Sequence, residues 1–278
     1  MDYIELTVNI VPKDPWSEIL ITELADCGYE SFVETETGIQ AFGQVTLVNS
    51  EDPISNTFLK IPSVDFAAQW EAKIIPQQNW NALWEADFQV VEVEDYLTIH
   101  APFHDKKNLK GMLVEIQPKM SFGTGHHQTT WMMSKALFEL DSIPDSVLDM
   151  GTGTGVLAIV AEKLGANKIV AVDIEDWSVE NTIENAERNN CSKIETICGN
   201  IDVIKGESFG LILANINKNV LKEHLPFYAK MLDQNGTLFL SGFFDTDVDE
   251  LVLIAEELGL RKYRVLNKDN WAAIELKK

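Results

Sequence analysis

"LDMGTGTGVLAI", residues 148–159, decides how the rest of the chain is read. An apolar run closes on Asp149, glycines follow at 151, 153 and 155, and an apolar, helix-compatible stretch begins at once. Glycines between a strand and a helix let a ligand approach backbone N–H groups that the first helical turn leaves unsatisfied. A dinucleotide fingerprint would place its third glycine at 156, where this chain has Val156. The spacing is D-x-G-x-G-x-G instead. Twenty-two residues after Gly151, Asp173 closes the strand "IVAVD", where a carboxylate can accept both ribose hydroxyls of an adenosine. An adenosine without a pyrophosphate-binding spacing points to S-adenosylmethionine, whose sulfonium carries an already activated methyl group.

Outward from that turn, strands and helices alternate from about Val147 to the end: "SVLDMG", "GVLAIVAEKLG", "KIVAVDI", "SVENTIENAERNN", "IETICG", "GLILANI", "NVLKEHLPFYAKML", "GTLFLSGF", "TDVDELVLIAEELGL", "YRVLN" and "WAAIELKK". This order predicts an open, doubly wound α/β sheet. No helix separates the last two strands, so one of them is expected to run antiparallel to its neighbour. In "LILANIN", Asn215 stands where the fourth sheet strand ends. Its side-chain carbonyl can orient an amine nucleophile, and alignment alone contributes on the order of 7–11 kcal/mol to such a transfer. The structural alternative for Asn215 is a cap for the helix beginning at "NVLKEHL".

A second glycine-bearing run, "SFGTGHHQTT", covers residues 121–130. Its adjacent His126 and His127 raise three possibilities: metal ligands, catalysts or bystanders. His100 and His104 are four apart, but on a strand and the turn after it, where that spacing does not converge as it would on a helix.

The front of the chain has another character. Residues 1–100 hold 18 Asp and Glu against 3 Lys and Arg, a net charge of −15 out of −22 for the whole. Such a block serves solubility, or steers a basic partner toward it. Direct binding to a nucleic-acid backbone is disfavoured, because phosphates are neutralised by clustered Lys and Arg. "YIELTVNIV" alternates as a strand, "DPWSEILITELADCG" has helical spacing with Gly28 as its stop, and "SFVETE" and "GIQAFGQV" meet at Thr37-Gly38 as a hairpin. "AAQWEAKII" alternates with period two as a strand. With a short helix in "PISNTFLK", the order is βαββαβ, a ferredoxin-like α+β pattern. "NWNALWEADFQ" puts Trp80, Leu83, Trp84 and Phe88 on one face of a connecting helix. The expected organisation is an acidic recognition domain at 1–76, a connecting helix and linker at 77–100, and the α/β domain at 101–278. No apolar run reaches the ~18 residues of a membrane span, and the N-terminus lacks a signal-peptide pattern, so a cytoplasmic location is expected. Cys27, Cys191 and Cys198 have no metal-ligand spacing and are expected as reduced thiols, with no metal site.

"FGTGHHQTT", "LDMGTGTGVLAIVAEKLGA", "VAVDIE" and "LILANINKNVL", in this order and spacing, resemble the bacterial PrmA family, methyltransferases of ribosomal large-subunit protein eleven. The resemblance runs over essentially the whole chain, including the acidic front and the "QNWNALWEADFQ" connector. It implies a Rossmann-like AdoMet-dependent methyltransferase domain behind the small ferredoxin-like one. The substrate it implies is the amino groups, lysine side chains or the N-terminal amine, of a basic ribosomal protein. Position by position it assigns the cofactor to Thr130, Gly151, Asp173 and Asn215, with Asn215 beside the reacting amine. Asp149 and Gly153 of the glycine turn, and Phe122 and Thr124 of the first loop, complete the candidate set. His127 is implied as the retained histidine, with a local structural or cofactor-loop role. No lysine-deprotonating base stands out, and burial of the amine would lower its pKa without one. A monomer is expected. The competing readings are a methyltransferase of a small molecule or RNA, and a non-catalytic AdoMet-binding assembly factor.

Overall fold

The computed structural model, which describes residues 2–48, 67–76, 88–119, 123, 125 and 127–278, folds "YIELTVNIV" as strand β1, Tyr3–Val11. Helix α1 (Trp16–Asp26) follows, then β2 (Tyr29–Glu34), β3 (Gly38–Gln44) and β4 (Ala67–Ile75). The strands form an antiparallel sheet in the order β2-β3-β1-β4. Alternation along β1 buries Leu6, Val8 and Ile10 against Leu20 and Leu24 of α1 and Ile39 and Ala41 of β3. The helix expected in "PISNTFLK" lies outside the described residues, as does the connecting helix apart from Phe88 and Gln89.

The chain divides into two units, Met1–Asp87 and Phe88–Lys278. Residues 88–100, expected as the end of a linker, therefore belong with the second unit. The reason is backbone pairing: β5 (Val91–Val93) and β6 (Leu97–His100) pair antiparallel, and β6 pairs parallel with β7 (Met112–Glu115). His104 fastens the start of this unit, its Nδ1 accepting from the Ala101 N–H (3.0 Å) and its Nε2 lying 2.6 Å from the Phe88 carbonyl. His100 is buried with Nδ1 on the Ala101 carbonyl, and the two histidines serve separate local roles.

After α2 (Gln128–Phe138) the unit alternates β8 (Ser146–Met150), α3 (Val156–Lys163), β9 (Lys168–Asp173), α4 (Asp176–Arg188), β10 (Ile194–Cys198) and β11 (Phe209–Asn215). It continues through α5 (Lys218–Met231), β12 (Leu232–Phe244), α6 (Val248–Glu257), β13 (Arg261–Lys268) and β14 (Trp271–Lys277). The seven strands lie in the order β10-β9-β8-β11-β12-β14-β13. β14 runs antiparallel to both neighbours, as the missing final helix requires, so the central sheet is mixed. Its strands read as nearly continuous apolar runs because both faces are covered. Leu148, Val170, Ile212 and Leu238 pack under Leu221, Leu225 and Tyr228 of α5 and Leu251 of α6. Val147, Ile169, Leu211 and Phe239 face the other way, toward Met132, Met133 and Leu137 of α2 and Val156 to Ala161 of α3. Strand order reverses between β8 and β11, which opens a crevice at their carboxyl ends where ligands of such sheets bind.

Candidate active site

Candidate residues stand at the carboxyl ends of β8, β9 and β11. β8 ends in the glycine turn. Gly151 has φ +76°, and a Cβ at this position would collide with the Ile216 side chain, so only glycine lets the two strand ends close up. The Gly151 and Thr152 N–H groups both donate to the Val172 carbonyl, pinning the turn to β9.

Asp149 is fully buried beneath this turn. Its Oδ2 accepts from the Thr152 hydroxyl (2.7 Å) and from the Ala158 N–H in the first turn of α3 (3.2 Å). Burial pushes its carboxyl up to about 7, against the opposing pull of those two donors. The carboxylate thus staples the turn to its helix from below.

Asp173, at the end of β9, is half-buried. Its Oδ2 accepts from the Gly153 N–H (2.9 Å) and its Oδ1 from the Glu175 N–H (3.1 Å). Each oxygen accepts one of these bonds and can accept one more, a pair of acceptors that fits a vicinal diol. The residues present therefore suit an adenosine: a turn that offers its backbone, and a carboxylate with two free acceptor positions. S-adenosylmethionine, when bound, supplies a methyl group on a positively charged sulfur that is open to attack by a neutral nucleophile.

β11 ends in Asn215, whose Nδ2 donates to Thr130 Oγ1 at 3.4 Å. Two residues 85 positions apart thus meet at the mouth of the crevice. Thr130 is buried in the first turn of α2. Among the described residues this is the only hydrogen bond of the Asn215 side chain, so its Oδ1 is available to accept from an incoming amine. The cap of α5 is Asn217, not Asn215: the Asn217 side chain accepts from the Val220 N–H (3.2 Å).

His127 is the N-cap of α2. Its Nδ1 accepts from the Thr129 N–H and lies 2.8 Å from the Thr129 hydroxyl, while its ring meets Trp271 edge-to-face at 4.5 Å. Burial lowers its pKa, the direction that favours the neutral ring such a cap requires. Among the described residues no three His, Cys, Asp or Glu side chains converge as a metal would need. Phe122, Thr124 and His126 lie outside the described residues.

The inward face of α4 was not expected to matter. Thr182 donates to the Gly153 carbonyl (3.0 Å), and Asn185 Nδ2 donates to the Thr154 carbonyl (2.9 Å) while its Oδ1 accepts from the Gln117 N–H (2.8 Å). Asn189 exchanges both bonds with the backbone of Glu115. All three are buried. The signal lay in the spacing: Ser178 and Thr182, and Asn181, Asn185 and Asn189, recur at four-residue intervals in "SVENTIENAERNN", a polar stripe along one helical face.

A mixed doubly wound sheet, a glycine turn after the central strand, an acid closing the next strand and an asparagine closing the fourth define an AdoMet-dependent methyltransferase. The chain belongs to the family described as "Ribosomal protein L11 methyltransferase (PrmA)", whose family model matches residues 18–278. A ribosomal protein L11 methyltransferase of Phocaeicola vulgatus is 38% identical over 278 residues, covering 99% of each chain. The one from Porphyromonas gingivalis is 39% identical over 259 residues, 92% of this chain and 89% of its own. Among solved structures, ribosomal protein L11 methylase from Lactobacillus delbrueckii subsp. bulgaricus superposes with a TM-score of 0.64 at 26% identity. It covers 68% of this chain and 98% of its own. A Pyrococcus furiosus methyltransferase shares the fold, with a TM-score of 0.51 at 17% identity over 59% of this chain and 88% of its own.

Proposed function

We propose that this enzyme transfers methyl groups from S-adenosylmethionine to amino groups of ribosomal protein L11, on lysine side chains, the N-terminal amine, or both. The observation that carries this reading is the hydrogen bond between Asn215 and Thr130, which joins the end of β11 to the helix behind the first loop. Asp173 would hold the ribose, the turn at Gly151 and Gly153 the backbone side of the cofactor, and Thr130, with Phe122 and Thr124, its methionine end. Asp149 acts on the cofactor through the turn it staples. Asn215 orients the amine with its carbonyl oxygen. Neither hydrogen-bond partner nor position makes it a base, so the amine must arrive neutral. For a lysine of ordinary pKa near 10.4 that costs roughly 4–5 kcal/mol at pH 7, and for an α-amino group about 1 kcal/mol.

The front unit is the recognition domain in this reading. Its strand order β2-β3-β1-β4, antiparallel throughout, supports a ferredoxin-like fold. Its share of the net charge suits a basic partner. A monomer acting in the cytoplasm completes the proposal, and no helix among the described residues is long and apolar enough to cross a membrane. The test is transfer of label from AdoMet to purified L11, against ribosomal RNA and an unrelated basic protein. Label in L11 alone supports the reading, and label in RNA refutes it.

A further inference from the structure

Thr154, between Gly153 and Gly155, is fully buried. The glycine turn itself does not need a hydroxyl there: the staple from Asp149 uses Thr152, and the N-cap of α3 is Gly155. Its hydroxyl instead leaves the turn and donates to the Gly123 carbonyl of the first loop at 2.6 Å. The approach is close enough that a Cβ at Gly123, whose φ is +98°, would sit 2.9 Å from the Thr154 oxygen. The Thr154 carbonyl is held by Asn185 Nδ2, and Asn185 Oδ1 holds the Gln117 N–H. One residue pair therefore binds the chain on both sides of residues 118–122, at Gln117 and at Gly123. α4 supplies the fixed frame, with Thr182 on Gly153 and Asn189 on Glu115.

We propose that Thr154 is a positioning residue for cofactor binding. By bonding Gly123 it sets the first loop against the glycine turn, so that groups from both loops address one cofactor at once. The inference rests on the reading of the crevice as the AdoMet site.

The test compares Thr154→Val, which keeps size and β-branching and deletes the hydroxyl, with Thr154→Ser, which keeps it. Loss of one neutral hydrogen bond predicts a rise of about tenfold in the AdoMet dissociation constant for the valine variant. The serine variant should stay within about twofold of wild type. In steady-state assays the valine variant should raise KM for AdoMet and leave KM for the protein substrate unchanged, whereas general loosening of the fold would move both. If Thr154→Val does not fold, Gly123→Ala disrupts the same contact from the half-buried loop and must give the same loss. Asp173→Ala is the control: unchanged AdoMet binding there would refute the site, not the positioning role. With that control weakened as expected, a valine or Gly123→Ala variant that binds like wild type overturns the proposal. So does a serine variant as weak as valine.

Discussion

Asp173→Ala should separate cofactor binding from folding. In the structure each carboxylate oxygen already serves one backbone donor, Gly153 N–H at 2.9 Å and Glu175 N–H at 3.1 Å. In the proposed complex each would take a ribose hydroxyl as well. A hydrogen bond to a charged acceptor is worth about 1.5–3 kcal/mol, so two give about 3 kcal/mol at the lower bound. That is about a 100-fold weaker dissociation constant for AdoMet. The cost to the fold is smaller, because Asp173 and the turn stand at a half-buried strand end where water can replace the lost acceptor. It should be about 1 kcal/mol, which lowers the melting midpoint by about 2–4 °C for a unit of this size. Asp173→Asn retains one acceptor oxygen and should fall between wild type and the alanine variant. Calorimetric titration with AdoMet, beside thermal melts without it, measures both quantities. A dissociation constant within threefold of wild type, on a folded alanine variant, would remove Asp173 from the cofactor site.

Asn215→Ala should lower the rate of methyl transfer more than cofactor affinity, since orienting the amine matters chiefly at the transition state, and single-turnover kinetics beside equilibrium binding separates the two. Asp149 has a folded-state pKa of about 7 against 3.8 for the free group, so between these values the folded chain binds more protons than the unfolded one. Its contribution then favours folding at low pH and is lost as pH rises toward 7, by roughly 4 kcal/mol at most. Both of its bonds fall on Oδ2, so the amide oxygen of Asp149→Asn can keep them. The stability of this variant relative to wild type should rise between pH 5 and pH 8 in denaturant melts, and a constant difference would refute the assignment. Gly242→Ala should destabilise the second unit on the order of 3 kcal/mol, because φ there is +97° and the new Cβ would collide with the Ile216 carbonyl. A melting midpoint equal to wild type would contradict that packing.

Much of this was legible because it rests on chain-local chemistry. Glycines at 151, 153 and 155 after an apolar strand also serve structural turns, and it is their pairing with Asp173 at the next strand end that points to a ligand; the missing helix between Arg261–Lys268 and Trp271–Lys277 left one antiparallel strand as the simple closure. Resemblance assigns Thr130 and Asn215 separately to the cofactor, and the fold brings the helix Gln128–Phe138 and the end of the strand Phe209–Asn215 within a hydrogen bond of each other. Roles that depend on tertiary partners were harder to read. Asp149 and Asp173 both close apolar strands in sequence, and burial separates the acid that props the turn from the half-buried one proposed to hold the ribose. Asn215 and Asn217 are equally good caps by residue type, and the choice falls to whichever stands where the helix begins. The polar stripe of α4 resembles a solvated surface to any hydropathy measure, since amides and hydroxyls carry no mark of being buried.

That stripe has a consequence for how uniquely the unit folds. A helix held only by an apolar face can slide or rotate a little along its neighbours and lose hardly any contact area. The helix Asp176–Arg188 cannot: Thr182 and Asn185, with Asn189 at its C-cap, meet backbone groups of two separate segments, residues 115–117 and 153–154, and a shift of one residue would strand every one of those donors and acceptors in the interior. Misplaced arrangements are thereby penalised several times over while the native one is satisfied. Amides have traded some of the tolerance of an oily interface for a single admissible seating, in a helix that bonds directly to the glycine turn.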